Sequence, residues 1–393
     1  MSQRQTWVLV AGGFHGKGGM DRCNWALARH LGRRGDRVHL VCHHADAGLR
    51  NEVTAIHLVS KPAGSFMLGG LLLNRLGQAV ANRLAREAPG TRVVVNGGNC
   101  DWPDINWVHY VHAAWQQGGS APAWLKAKSR FSRWLAVRGE QTVLPAARVV
   151  IANSERTRRD LIEHLGVDSK HAHTVYLGSE AGFCPAAREA RAAARAALGQ
   201  EADQPLIAFI GALGHDSRKG FDTLFSAWTK LCARPDWDAR LIVAGGGRAL
   251  EFWRRQIHAA GHSGRILVLG FTERVPELLA AADLLVSPAR YEAYGLNVHE
   301  AICCGVPAMV SRRAGVAERF TAELQPLLID DPEDAEALAA KILRWRMAVN
   351  YWREKIMPLS ETLRSYTLEH MAKRIVTLCT GNSDSRMRSA LGH

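Results

Sequence analysis

The sequence predicts an α/β protein made of two doubly wound, Rossmann-like domains in series, and three observations predict it. The chain has 393 residues, and single hydrophobic cores stop growing near roughly 250–300. It opens with strand, glycine-rich loop, helix, strand. A second series of the same kind begins at Pro205.

The first series starts with an apolar strand, Trp7–Ala11, which runs into the loop GGFHGKGG. A helix over Asp21–Arg33 and a strand over Arg37–His43 follow. Further apolar runs at Arg92–Val95, Asn106–Val111 and Arg148–Ile151 read as strands covered on both faces, as in a parallel sheet. The second series has a strand at Leu206–Ile210, the loop GALGHDSRKG and a helix over Phe221–Cys232. Strand Arg240–Val243, the turn AGGG and helix Arg248–Ala260 come next. Strands Ile266–Leu269, Leu284–Ser287 and Ala308–Val310 complete the series.

These elements divide the chain into a first domain over 1–180 and an interdomain segment, rich in Ala and Arg, over 181–204. A second domain covers 205–350, C-terminal helices 351–380, and a frayed tail 381–393. In open parallel sheets ligands sit beyond the carboxyl ends of the strands, and three loops fall there: 12–19, 211–220 and 287–295.

Composition excludes several classes. The N-terminus lacks the pattern of a secretory signal. The longest apolar stretch, Phe66–Leu73, is far short of the ~18–20 residues of a membrane span. The eight cysteines form no CxxC pair and no zinc spacing, which reads as reduced thiols of a cytoplasmic protein. Asp101 and Asp104 are too few for a metal site. The formal charge is +13, and residues 1–180 carry +10 of it. Such a field attracts phosphorylated small molecules, anionic lipid or nucleic acid; no nucleic-acid-binding signature accompanies it, so nucleic acid is not expected. The stretch 123–138 mixes tryptophans and basic residues at helical spacing. It reads as a surface helix packing its apolar stripe on the core, with an anionic membrane surface as the second reading.

The first loop is not a Walker A motif, because Gly12 stands one residue too close to Gly16-Lys17 and Gly18 follows the lysine. Its glycines let backbone approach an anion at the start of the next helix. The second loop places Arg218 and Lys219 where cations can neutralise a diphosphate. The third stretch, SPARYEAYGLNVHEAICCGVPAMVS, sets Glu292 in a loop, Gly295 at a helix start and Glu300 one or two turns in. Carboxylates suit sugar hydroxyls, and the amides of Tyr294, Gly295 and Leu296 suit a phosphate.

That third stretch resembles the donor-site signature of glycosyltransferase family four: Glu, seven residues, Glu, with Tyr-Gly inside and GVP after. IANSERTRRDL (151–161), TVYLGSEAGFCP (174–185), RKGFDTLFSAW (218–228) and VLGFTERVPELLAAADLLVSP (268–288) extend the resemblance along the chain. It implies the GT-B fold, two Rossmann-like domains facing a deep cleft with a C-terminal helix packing back toward the first. It also implies a retaining transfer of a sugar from a UDP- or GDP-sugar to an acceptor hydroxyl without a metal or other cofactor. The acceptor is a sugar, a lipid-linked glycan or a small molecule, in cell-envelope polysaccharide, glycolipid or glycoside synthesis. The place implied is the cytoplasm or the inner face of the membrane.

By the same resemblance Glu300 holds ribose hydroxyls, Glu292 meets the donor sugar, and Ala293–Leu296 lie at sugar and phosphate. Lys219 and Arg218 sit on the diphosphate. Gly13, Gly18, Gly19, Gly245, Phe271 and Val275 join the donor set, and His15 the acceptor side. The family places one histidine near the reacting carbon, here His112 or His109. Three residues apart on a strand, they face opposite ways, and His112 lies nearer the carboxyl end; His109 is left to the acceptor. The arginine that the family commonly carries in the second loop is replaced by Gly211-Ala212-Leu213. An epimerase, a phosphorylase or a silent sugar-nucleotide binder on the same fold remain open.

Overall fold

A computed structural model describes residues 4–16, 18–115 and 123–381. Lys17 and the tail expected to fray, beyond Gly381, lie outside the described residues, as do the side chains of Trp124, Lys126 and Lys128. The chain forms two compact units. The first takes the residues up to Ala114, Phe131–Gly178, and those from Leu368 on. The second takes Ser179–Thr367 and the start of the helix Ala123–Val143.

The first unit is a seven-stranded parallel sheet. In spatial order its strands are Ala55–Leu58, Arg37–Cys42, Thr6–Val10, Arg92–Val95, Ile105–Val108, Val149–Ala152 and Ala172–Thr174. Thr6–Val10 and Ile105–Val108 are buried throughout, as their largely apolar sequences favour, with Thr6 and Asn106 the buried polar residues among them. Val8, Val10, Val93 and Val95 pack under Leu73, Val80 and Leu84 of helix Phe66–Glu87. Local chemistry marks helix ends. Ser154 accepts from the Thr157 amide at 3.0 Å to start Glu155–Leu165, and Gly166 ends that helix. The last described helix, Leu368–Thr380, belongs to this unit. It packs on helix Gly19–Arg33, where His30 Nδ1 meets Glu369 Oε1 at 2.8 Å.

The second unit is a six-stranded parallel sheet in the order Ile266–Gly270, Arg240–Ala244, Leu206–Ile210, Leu284–Ser287, Ala308–Ser311 and Leu328–Ile329. Both sheets reverse direction beside their first strand, the switch point where α/β folds bind ligands.

Three differences from the sequence reading have physical causes. The strand expected over Asn106–Val111 is Ile105–Val108, because the chain bends at His109 and turns at His112–Ala114. The edge strands Ala55–Leu58, Ala172–Thr174 and Leu328–Ile329, at two to four residues, are too short to stand out. Helix Arg188–Ala197, inside the stretch read as interdomain, packs within the second unit. Buried Arg195 donates to Asp283 Oδ2 and the Ala281 carbonyl, and Arg191 to Asp283 Oδ1 at 2.7 Å.

Candidate functional site

In the second unit the candidate residues gather at the carboxyl edge of the sheet. The loop after Leu206–Ile210 is stitched to the loop after Arg240–Ala244. Gly211 N donates to Ala244 O, Leu213 N to Gly246 O and Ala249 N to Leu213 O, at 2.9, 2.9 and 3.0 Å. The approach is so close that a Cβ on Gly245 would stand 1.8 Å from Gly211 O, and Gly245 has φ +154°. Gly220, at φ +71°, leaves no more room: its Cβ would lie 1.9 Å from Pro288 O. Only glycine fits where these backbones meet.

Lys219 precedes Gly220, and its ammonium is ion-paired with the Glu292 carboxylate. Both side chains are largely shielded from solvent. Two residues 73 apart in sequence, each singled out for the donor, are thus brought together. Arg218 lies at the same loop, 3.7 Å from Asp216, and its carbonyl accepts from the Arg290 amide at 2.9 Å. Arg290 is a different kind of cation. Its guanidinium is committed to Asp222 at 2.8 and 2.9 Å and to Glu333 at 2.8 Å, and these carboxylates raise its pKa against the effect of burial. A solvent-open recess of about 240 Å³ lies against Leu213, Ser217, Arg218, Lys219, Gly220 and Trp253.

The Glu292–Tyr294 segment runs beside Ala314–Val316. Gly315 N donates to Glu292 O at 3.1 Å and Val316 N to Tyr294 O at 2.7 Å. Ala293 and Tyr294 are buried. Gly295 caps helix Leu296–Cys303 without any side-chain bond, which leaves the helix start shaped for an anion. Glu300 is buried on that helix. Phe271 stands 71% exposed after Ile266–Gly270, and Val275 opens helix Val275–Ala281.

A chain of bonds holds this segment, and sequence reasoning missed it. The Tyr294 hydroxyl donates to His299 Nδ1 at 2.8 Å. His299 Nε2–H donates to Ser179 Oγ at 2.7 Å, and that hydroxyl donates to Leu363 O at 2.6 Å. His299 stands inside the motif, beside Glu300, so its position was a signal. Ser179 offered none. Asn297 donates to Ile210 O at 2.8 Å and ties the helix start to the first strand of this sheet. Cys303 and Cys304 are not nucleophiles at neutral pH, since burial pushes their thiols up to about 11 and about 12.

The first unit carries the remaining candidates. Gly13 lies in a two-residue strand, Gly13–Phe14, against His44–Ala45; a Cβ there would come within 2.9 Å of Asp21 and His15. His15 Nε2 is 3.5 Å from Asp21 Oδ2, and its ring lies edge-on to His44 at 4.9 Å. Burial raises the Asp21 pKa, against the pull of His15. Gly18 caps helix Gly19–Arg33, whose first residue is Gly19.

His109 and His112 are not on a strand, so the opposite-face argument does not decide between them. His109 packs on Trp107 with ring centroids 4.5 Å apart, and burial drives its pKa down to about 3. It is a neutral imidazole at any physiological pH. His112 opens the turn His112–Ala114, with its side chain 45% exposed and its Nδ1 2.6 Å from Glu140. Among the described residues no group of three or more His, Cys, Asp or Glu could hold a metal ion, and no helix is long and apolar enough to cross a membrane.

Two protein-family models match the chain. "Glycosyltransferase Family 4" matches residues 17–180 and "Glycosyl transferases group 1" matches 190–347. The chain belongs to the family-four glycosyltransferases. This glycosyltransferase is 28% identical over 343 residues to a D-inositol 3-phosphate glycosyltransferase of Xylanimonas cellulosilytica, covering 80% of each protein. It is 26% identical to mannosylfructose-phosphate synthase of Agrobacterium fabrum, over 63% of this chain and 56% of that one. Among solved structures it superposes on WaaG, a glycosyltransferase involved in lipopolysaccharide biosynthesis. The TM-score is 0.73 at 20% identity, over 95% of this chain and 100% of that one. It also superposes on Anabaena HepE in complex with UDP and glucose, with TM-score 0.71 at 17% identity, over 96% and 100%. The glycosyltransferase has the GT-B fold, in which each half is a Rossmann-like unit.

Proposed function

We propose that this glycosyltransferase moves a hexose from a nucleoside diphosphate sugar to an acceptor hydroxyl with retention of configuration. The observation that carries the proposal is the Lys219–Glu292 pair beside the Gly295-capped helix. Departure of a diphosphate needs positive charge at the leaving oxygens. Lys219, Arg218 and the amides at the start of Leu296–Cys303 supply it on rigid loops. Glu292 and Glu300 accept hydrogen bonds from donor hydroxyls, Glu292 at the sugar and Glu300 at the ribose. Exposed Phe271 offers a face to the base, and Val275 and Gly245 bound the same loops. No metal is needed for this arrangement. In the first unit Gly13, Gly18 and Gly19 belong to the donor set, His15 lies on the acceptor side, and His112 meets the donor sugar. The acceptor O–H bond breaks as its oxygen bonds to the anomeric carbon; the carbon–diphosphate bond breaks, and the departing phosphate oxygen takes the proton. The name of HepE's ligands, UDP and glucose, supports a nucleotide-sugar donor.

For the acceptor we favour a lipid-linked or envelope glycan, met at the inner face of a membrane. The support is an exposed aromatic pair on helix Ala123–Val143. Phe131 and Trp134 are each more than half exposed and stacked at 6.0 Å, and Arg138 lies 5.6 Å from the Trp134 ring.

The test is a panel of UDP-, GDP- and ADP-sugars read by thermal shift and then by product analysis. A bound donor at ~100 times its Kd adds about 2.7 kcal/mol of stability. Transfer with retained configuration is expected. Donor turnover without acceptor, or dependence on inorganic phosphate, indicates an epimerase or a phosphorylase instead. No shift with any nucleotide sugar removes the proposal.

A further inference from the structure

We infer that Glu140 is a positioning residue that sets the orientation and the tautomer of His112. Glu140 sits near the end of helix Ala123–Val143 and is 2% exposed. A carboxylate is costly to bury unless several donors compensate it. Its donors come from His112. The His112 backbone N–H reaches Oε1 at 3.1 Å and Oε2 at 3.0 Å, and the ring Nδ1 lies 2.6 Å from Oε1.

The same turn is held from its other side by Arg133, two turns earlier on the same face of that helix. Its Nε donates to His112 O at 3.0 Å and its Nη2 to Ala113 O at 3.1 Å. Helix and turn therefore grip the peptide of His112 from both its N–H and its C=O. A staple that only closed the turn would need no more than that. The ring bond is additional. A carboxylate accepts only, so Nδ1 carries the hydrogen, and in the neutral ring Nε2 is the acceptor nitrogen. The ring is half exposed, so Nε2 is presented as an acceptor for a ligand hydroxyl with its direction already set. A carboxylate behind an imidazole also makes the far nitrogen a better acceptor, the logic seen when acids orient metal-bound histidines. Tyr110, edge-on to His112 at 4.8 Å, limits rotation of the ring.

This inference rests on the proposed meeting of His112 with the donor sugar, and the experiment separates the two. First, ring nitrogens of the full-length protein, labelled with 15N-histidine, are recorded at pH 8 and assigned with His112→Asn. A His112 protonated on Nδ1 in the wild type, with that preference reduced in Glu140→Ala, is expected. A His112 protonated on Nε2 overturns the inference, as does a spectrum unchanged by the substitution. This readout holds even if no sugar transfer is found. Second, transfer kinetics are compared for Glu140→Gln, Glu140→Ala, His112→Ala and the double variant Glu140→Ala/His112→Ala. Glu140→Ala should lower kcat about tenfold with KM within about twofold. Glu140→Gln, which keeps an acceptor oxygen, should recover part of that loss. In the His112→Ala background Glu140→Ala should cost nothing more. Losses that multiply in the double variant overturn the inference and leave Glu140 as a fold-stabilising residue.

Discussion

Replacing Gly220 by alanine tests whether the donor loops of the second unit depend on backbone contact. The added Cβ would stand 1.9 Å from Pro288 O and 2.7 Å from its carbonyl carbon, at φ +71°. Relief to an ordinary contact near 3.4 Å needs a displacement of about 1.5 Å. The left-handed backbone costs alanine about 1–2 kcal/mol, and forcing packed groups apart about 1–3 kcal/mol more. A loss of about 2–5 kcal/mol follows, or a fall of roughly 4–20 °C in Tm for a unit of this size. Lys219 is the neighbouring residue and Glu292 lies four residues beyond Pro288, so the displacement falls between the two partners of the ion pair. Misplacement of about 1 Å at reacting groups costs about 100-fold in rate. The assay is thermal unfolding with initial rates at saturating acceptor. Gly264→Ala, a position with open space at its Cβ, serves as control and should stay within about 1 °C and twofold. If Gly220→Ala matches that control in both Tm and rate, the close approach of these loops is not what orders the site.

Three further outcomes are expected. Lys219→Ala should lower kcat by about 100- to 1,000-fold, the scale seen when one preorganised donor to developing negative charge is lost; Glu292→Ala should cost at least tenfold, and a rate unchanged in both variants removes them from the site. Asp283 is buried and accepts from Arg191 at 2.7 Å, Arg195 at 3.2 Å, Arg353 at 2.5 Å and the Leu206 amide at 2.9 Å. Asp283→Ala should therefore destabilise the protein by about 3–5 kcal/mol, read from the denaturant midpoint. His109 has a folded pKa of about 3 against an unfolded value near 6.5, so the unfolded chain binds the extra proton in between. Stability is complete above about pH 6.5 and falls as pH drops toward 3, by up to about 1.4 kcal/mol per pH unit. His109→Gln should flatten that slope between pH 6.5 and 5, and urea midpoints over this range with an unaltered slope would contradict the burial of the imidazole.

The sequence by itself determined the fold class, both sheets' central strands and the reaction class. Near-continuous apolar runs such as Leu206–Ile210 and Leu284–Ser287 are local signals, because a strand covered on both faces is apolar at almost every position. The Glu292–Glu300 stretch was legible for the same reason: loop, helix start and buried helix face follow one another in the chain. Tertiary structure alone decided whatever depends on partners far apart in sequence. It paired Lys219 with Glu292 and Glu140 with His112. It joined Ser179 to His299, and it gave the C-terminal helix expected to pack back on the first unit its partner, with His30 meeting Glu369 of Leu368–Thr380. A hydrogen bond across 120 residues leaves no periodicity to read. Short edge strands such as Leu328–Ile329 exist because a neighbouring strand offers free peptide groups, not because their own residues demand it. His109 shows the same limit. Sequence placed it beside His112 as a second candidate, and only the bend after Val108, which turns its ring onto Trp107, made it a buried neutral group.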